Sequence, residues 1–282
     1  MCTTGIIKAG EIDWNELWVK AKQNSTPGKM DGECCKMWFD KEKAKKYDER
    51  VKENNRERAA GQIKKLNINS GSTVLDVGAG PGTLAVPLAK LVKKVTAVEP
   101  SPGMIECLKE NIKEEGIKNI VCINKKWEDV KTDEIEKHDI VVASFSLGML
   151  NLREALEKMN ELARKHVYIF WFSGDTPWEH LYRGAWNELY DKEYIPGPKS
   201  DYIYNILYGM GIYANVEVSG MEYSHRFRSL DDAADELMSQ LGVETKKQED
   251  VLRKYLSGKL LKENDDFVSK GKTIKTMIWW EK

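Results

Sequence analysis

From residue 72 onward, short apolar runs alternate with longer segments whose apolar positions recur at helical spacing. Residues 73–77 read as a strand closed by glycines. Residues 83–91 read as a helix that Pro87 bends in its first turns. A strand over 95–98 follows. Residues 102–115 then carry Met104, Ile105, Leu108 and Ile112 on one helical face, and Gly116 suits the stop. Residues 120–123 form a third strand. Residues 139–145 form a fourth, almost wholly apolar and therefore expected to be buried on both faces. A helix over 152–163 presents Leu152, Leu156, Met159 and Leu162 together, and 167–172 reads as a fifth strand. This rhythm implies an α/β fold with a doubly wound, mostly parallel sheet. Residues 215–227 and 273–280 bring the strand count to seven.

Two regions break the rhythm. Residues 1–68 are polar and rich in Lys and Glu, with Trp14, Trp18, Trp38, Phe39 and Tyr47 as isolated large groups, and read as an N-terminal helical cap. The core then spans 69–282. Within it, 173–214 is crowded with aromatic residues and punctuated by Pro177, Pro196 and Pro198, which reads as a lid insertion. Most of its rings are expected to form the core of a small helical cap, and one or two to face a ligand. Residues 229–262 read as a helical segment opened by a capping-box-like Ser229 and Asp232.

Composition narrows the classes. A chain of 282 residues, 41% hydrophobic and 32% charged, is ordinary for a globular α/β protein. Its formal net charge of −1 argues against a protein built to grip nucleic-acid backbones. No apolar run is long enough to span a bilayer. Five cysteines and no signal-like segment suggest reduced thiols and a cytoplasmic protein. Cys107 and Cys122 fall in apolar patterns and read as core residues. The vicinal Cys34–Cys35 pair could take a soft metal or metalloid, but no CxxC or nearby His completes a site, so no metal is expected.

The chemistry concentrates in Val74-Leu75-Asp76-Val77-Gly78-Ala79-Gly80-Pro81-Gly82, which follows a strand and opens a helix. Glycines there let the backbone turn sharply and approach a ligand closely. Nucleotide-binding loops in general share that property. Asp76, two residues before the first glycine, and Glu99, at the end of the second strand, sharpen the signal. A carboxylate at that second place can accept both hydroxyls of a ribose. Nicotinamide loops usually space their glycines G-x-G-x-x-G, whereas here the spacing is G-x-G-x-G.

These residues resemble the class I S-adenosylmethionine-dependent methyltransferases, of the small-molecule group that includes ubiquinone and menaquinone biosynthesis enzymes. The likeness is close over 72–150 and looser over the upstream Trp38-Phe39-Asp40, Ala44 and Tyr47-Asp48 stretch, which looks like that group's entry segment. It implies a Rossmann-like sheet with an antiparallel final strand and S-adenosylmethionine as donor, leaving S-adenosylhomocysteine. It places Gly78, Ala79 and Gly80 under the methionine and ribose portions, Glu99 on the ribose with Pro100 and Ser101 beside it, and Met104 against the adenine. It gives Asp76 the loop or the methionine amino group, Ser144 the methionine end, and Tyr47 a place in the cofactor site. Lys126 stands where the family usually has an acid, which leaves Trp127 to flank the base and Glu128 to accept from it.

The methyl acceptor is expected to be a small organic molecule, planar or cationic given the aromatic density. Candidate bases are His180 and His225. Exocyclic-amine nucleic-acid methylation would want an N/D-P-P-Y/F/W tetrapeptide after the fourth strand, where Ser144-Phe145-Ser146-Leu147 stands instead. A protein or RNA acceptor, or a donor-binding protein without activity, is the alternative reading.

Overall fold

A computed structural model describes residues 12–26, 39–54, 56–176 and 178–282. Cys34–Cys35, Trp38 and Pro177 lie outside them. The chain runs α1 (Trp14–Asn24), α2 (Lys41–Asn54), α3 (Arg56–Ile63), β1 (Thr73–Val77), α4 (Ala85–Ala89), β2 (Lys94–Val98), α5 (Pro102–Glu114), β3 (Ile120–Ile123) and β4 (His138–Ser144). It continues α6 (Leu152–Leu162), β5 (Ala163–Phe172), α7 (Glu179–Tyr190), α8 (Ser200–Gly209), β6 (Asn215–Phe227), α9 (Leu230–Leu241), α10 (Lys246–Lys259), β7 (Leu261–Glu263) and β8 (Asp266–Glu281).

The seven expected strands line up as β3-β2-β1-β4-β5-β8-β6, and the short β7 adds to β8. Strands β1 to β5 are mutually parallel, while β8 runs antiparallel to both β5 and β6. The chain winds outward from β1 to β3 and then returns to β4 on β1's other side. That reversal opens a crevice at the carboxyl ends of β1 and β4, where open α/β sheets bind ligands.

Strand alternation sorts the core into two layers. Leu75, Val77, Val141, Ala143, Val167, Ile169 and Ile278 face α6 and α8. Val74, Val95, Ala97, Ile140, Val142, Phe170 and Met277 face residues of α3, α4 and α5. Helix α1 joins the first layer through Trp18, which is fully buried and donates its indole N–H to the Met149 carbonyl at 3.0 Å. Helix α5 begins on a Ser101 cap with Pro102 in its first turn, a position where the missing N–H costs nothing. Burial pushes the Cys107 and Cys122 thiols up.

A third cluster stands apart from the sheet. Leu181 and Ala185 of α7 pack with Phe227, Leu237, Leu252, Leu256 and Leu260. The two helices of the aromatic segment therefore take different places, because α8 buries Ile203, Ile206 and Leu207 against the sheet. The support of the third cluster is a ribbon. Strand β5 leaves its partner at Phe172 opposite Lys275, but β6 and β8 stay paired as far as Phe227 opposite Phe267. Strand β8 thus starts at Asp266 rather than the expected 273 and projects past the carboxyl end of β5. One face of this ribbon is exposed, through Glu222, Ser224 and Arg226, and the other is half-buried, through Met221, Tyr223 and His225, ending in the buried Phe227.

Helix α2 bridges the two bodies. Its Ala44 packs with Met104 and Cys107, and Lys41 pairs with Glu106 of α5 at 2.6 Å. One face round, Lys43 donates to Ser239 at 3.2 Å and Arg50 pairs with Glu236 at 3.2 Å, both on α9. Among the described residues, no helix is long and apolar enough to cross a membrane.

Candidate functional site

The glycine loop bends between β1 and α4 through three left-handed residues, Gly78, Gly80 and Gly82, at φ of 73°, 56° and 90°. Their surroundings differ. A Cβ on Gly78 would lie 2.3 Å from Cβ of Ser146, and one on Gly82 would lie 2.5 Å from Leu108. Those two glycines are needed for close packing of the loop on β4's end and on α5. A Cβ on Gly80 would meet nothing within 4 Å. Gly80 therefore faces open space, as a backbone that receives a ligand must.

The loop is tied down by backbone and by one acid. Gly78 and Ala79 donate to the Val98 carbonyl at 2.8 and 3.1 Å. Glu99 accepts from the Gly80 N–H at 2.9 Å and from the Ser101 N–H at 2.8 Å. Asn124 donates to the carbonyls of Glu99 and Pro100 at 2.8 and 3.0 Å, which fixes the end of β2. Burial raises the Glu99 carboxyl, against the pull of its two backbone donors. Each carboxylate oxygen still has a second acceptor position.

Asp76 is 2% exposed, and its Oδ2 has no hydrogen-bond partner. Burial, reinforced by the negative charge of Glu99 and opposed by the Ala85 N–H, pushes its carboxyl up to about 7. A buried acceptor without a donor is rare and calls for a partner. Beside a second carboxylate, the partner that fits is a cation.

The walls come from three further elements. Ser146 donates its hydroxyl to the Val77 carbonyl at 2.6 Å, so the segment after β4 closes on the end of β1. Phe145 between them has φ 54°, an uncommon conformation for a ring-bearing residue. Gln62 of α3 donates to the Ser144 hydroxyl at 2.9 Å. Phe145 lies 4.5 Å from Phe172, which meets Trp178 edge-on at 5.6 Å.

The structure brings Asp76, Gly78, Ala79, Gly80, Glu99, Pro100, Ser101 and Ser144 to this one edge. Met104 and Tyr47, from distant stretches, meet in one small cluster with Ala44. Trp127 sits in a 3-10 turn, packed in the first core layer, with its indole N–H donated to the Ala155 carbonyl at 3.1 Å. The neighbouring Glu128 is exposed. The two histidines lie in the ribbon-and-helix body. His180 is exposed, 4.0 Å from Asp175, and His225 sits between Arg50 and Glu236.

Sequence reasoning missed Gln62, Arg58 and Asn111. Asn111 is buried in α5 and donates to both Asp48 of α2 and the Pro81 carbonyl, each at 2.9 Å. A lone Asn in an otherwise amphipathic helix is the faint signal that was available.

Comparison with known proteins agrees with this geometry. Residues 74–166 match a family model described as a methyltransferase domain. An uncharacterised protein of Haemophilus influenzae is 30% identical over 219 residues, covering 77% of this chain and 79% of that one. A protein of Methanocaldococcus jannaschii, named as a probable cobalt-precorrin-6B C(15)-methyltransferase (decarboxylating), is 33% identical over 108 residues. That match covers 38% of this chain and 56% of the relative, so the chain spans little more than half of it. A Bacillus halodurans structure described as that of a methyltransferase shares the fold. Its TM-score is 0.53 at 16% identity, over 79% of this chain and 97% of that one.

Proposed function

Because the chain belongs to the class I S-adenosylmethionine-dependent methyltransferases, we propose that it methylates a small organic acceptor bound against Phe145, Phe172 and Trp178. S-adenosylmethionine is the methyl donor, and it supplies an activated methyl on a sulfonium that an acceptor's lone pair displaces in line, the bonding pair staying on sulfur. The residues present fit that donor. Gly80 leaves its side of the loop open, and the unpartnered Oδ2 of Asp76 suits an ammonium group. The free acceptor positions of Glu99 suit the ribose hydroxyls, and the Met104–Tyr47 cluster suits the adenine side.

What the chain contributes beyond binding is alignment, which can supply roughly 7–11 kcal/mol of a displacement barrier. The loop and the segment after β4 are locked to each other by Ser146 and Val77, so donor and acceptor sites share one rigid edge. The observation that carries the small-molecule reading is the run of three contacting rings, Phe145, Phe172 and Trp178, at that edge. They make a wall for one flat molecule, and the near-neutral net charge offers little to an RNA backbone.

Isothermal titration with S-adenosylmethionine and with its demethylated product tests the donor site. Glu99→Gln should weaken both roughly tenfold or more, since hydrogen bonds to a charged group contribute about 1.5–3 kcal/mol, and circular dichroism should be unchanged. Incubating the protein with cell extract and donor labelled in its methyl group tests the acceptor. Label is expected in the small-molecule fraction; label confined to protein or RNA would overturn that part of the reading.

A further inference from the structure

We propose that Arg58 of α3 and Lys275 of β8 form the anion-recognising end of the acceptor site, and that the acceptor carries a carboxylate on a planar body. The inference rests on the small-molecule reading above and sharpens it. The guanidinium carbon of Arg58 lies 5.4 Å from the centre of the Phe145 ring, and its Nε is buried with no hydrogen-bond partner. One turn further along α3, Gln62 holds Ser144, so Arg58 stands over the segment that closes on the glycine loop. Lys275 stands opposite Phe172 in the antiparallel ladder, and Phe172 is the ring that packs on Phe145. Alternation along β8 puts Lys275 on the same face as Met277, which is the face that α3 covers. Two cations from distant parts of the chain therefore converge on one aromatic wall.

Among the described residues, no ion pair joins Arg58 or Lys275 to a carboxylate, whereas Lys199 and Arg50, also partly buried, each have one, at 2.6 and 3.2 Å. Burial pulls the Lys275 ammonium down, and the positive charge of Arg58 adds to it. Gathering like charges in a half-buried place without a counter-ion is unfavourable, and such arrangements cluster where a ligand brings the opposite charge. One planar fork and one ammonium match the two oxygens of a carboxylate. Phosphate sites usually add a nest of backbone N–H groups; here the walls are rings. The cationic acceptor that aromatic density alone invites would be repelled.

The test uses the full chain saturated with S-adenosylhomocysteine, titrated with benzoate and with its uncharged near-isostere benzamide, following tryptophan fluorescence. Benzoate should bind roughly tenfold or more tightly than benzamide, the preference a charge-assisted fork confers. Arg58→Gln and Lys275→Met should each reduce that ratio to near unity while leaving affinity for S-adenosylhomocysteine within twofold of the parent. Equal binding of the two probes, no binding of benzoate, or a preference that survives both substitutions would overturn the proposal. A parallel arm separates this failure from failure of the small-molecule reading. Extract is passed over an anion exchanger before the labelled-donor reaction, and the acceptor should elute with salt and survive phosphatase. A small acceptor in the flow-through, or one destroyed by phosphatase, sinks the carboxylate alone. Label only in macromolecules sinks both.

Discussion

Asp76 is the residue at which binding and stability pull in opposite directions. Its carboxyl is raised from an ordinary 3.8 to about 7, by burial first and by Glu99 second. Between those values the folded chain holds a proton that the unfolded chain has released. The stability linked to this group is thus fully present below the lower value and fades as pH rises to the upper one. Asp76→Asn removes the penalty and should stabilise the donor-free protein more at pH 8 than at pH 5, the difference reaching ~3 kcal/mol at 1.36 kcal/mol per pKa unit, read by chemical denaturation. The same substitution should weaken donor binding, and in the parent protein donor binding between pH 5 and 7 should release a proton, read from calorimetry in buffers of different ionisation heat. The glycines allow a second residue-level contrast. Gly78→Ala meets both a left-handed backbone and the Cβ of Ser146, whereas Gly80→Ala meets only the backbone term. Chemical denaturation should rank Gly78→Ala as more destabilising, with Gly80→Ala near ~1 kcal/mol. Asp76, the glycines and Glu99 were legible in the sequence because their spacing is dictated by a strand end and a tight bend. Arg58, Gln62 and Asn111 were not, because a polar residue in a helix faces water by default and only tertiary packing turns it inward.

Whole elements were legible in proportion to how fully they are buried. Strands β1 to β5 and helices α5 and α6 announce themselves by runs or spacing, since both faces of the sheet are covered. Helix α4 is shorter than expected, Ala85–Ala89 rather than 83–91, with Pro87 inside its first turn, where no donor is lost. The aromatic segment misled for a physical reason: a ring looks the same in sequence whether it packs on the sheet, as Tyr202 does against Trp18 at 6.3 Å, or in the cluster around α7, as Trp186 does with Tyr190 at 4.3 Å. Helix α10 is a local exception, since its start is written in four residues. Thr245 and Gln248 form a complete capping box. Thr245→Ala should cost about 1 kcal/mol in the stability of that region, measured by hydrogen exchange over α10, with donor affinity untouched.

The molecule as a whole is two packed bodies joined by the ribbon, by α2 and by the Lys199–Glu179 pair at the start of α7, and the α2 junction carries a titratable group. Glu236 of α9 pairs with Arg50 of α2 at 3.2 Å. Burial works against its ionisation, but His225 and Arg50 outweigh burial and hold its carboxyl down to about 2. Here the folded value lies below the ordinary 4.5, so the stabilisation is present above that value and is lost as pH falls from 4.5 toward 2. This is opposite in sign to Asp76, so acid should tighten the donor-free glycine loop while it loosens the junction. Among the described residues, the body around Leu237, Leu252 and Leu256 shares no buried side chain with the two sheet layers, so loss of the junction should release it as a unit rather than unfold the sheet. Hydrogen exchange compared at pH 2.5 and pH 7, corrected for intrinsic rate, should show α7, α9 and α10 losing protection together at the lower pH while β1, β4 and β5 keep theirs. Glu236→Gln should reproduce that pattern at pH 7, because the amide cannot carry the charge that Arg50 and His225 answer. If the sheet and the helical body instead lost protection in step, the two would be one cooperative unit, and α2 would be a surface helix rather than the strut between them.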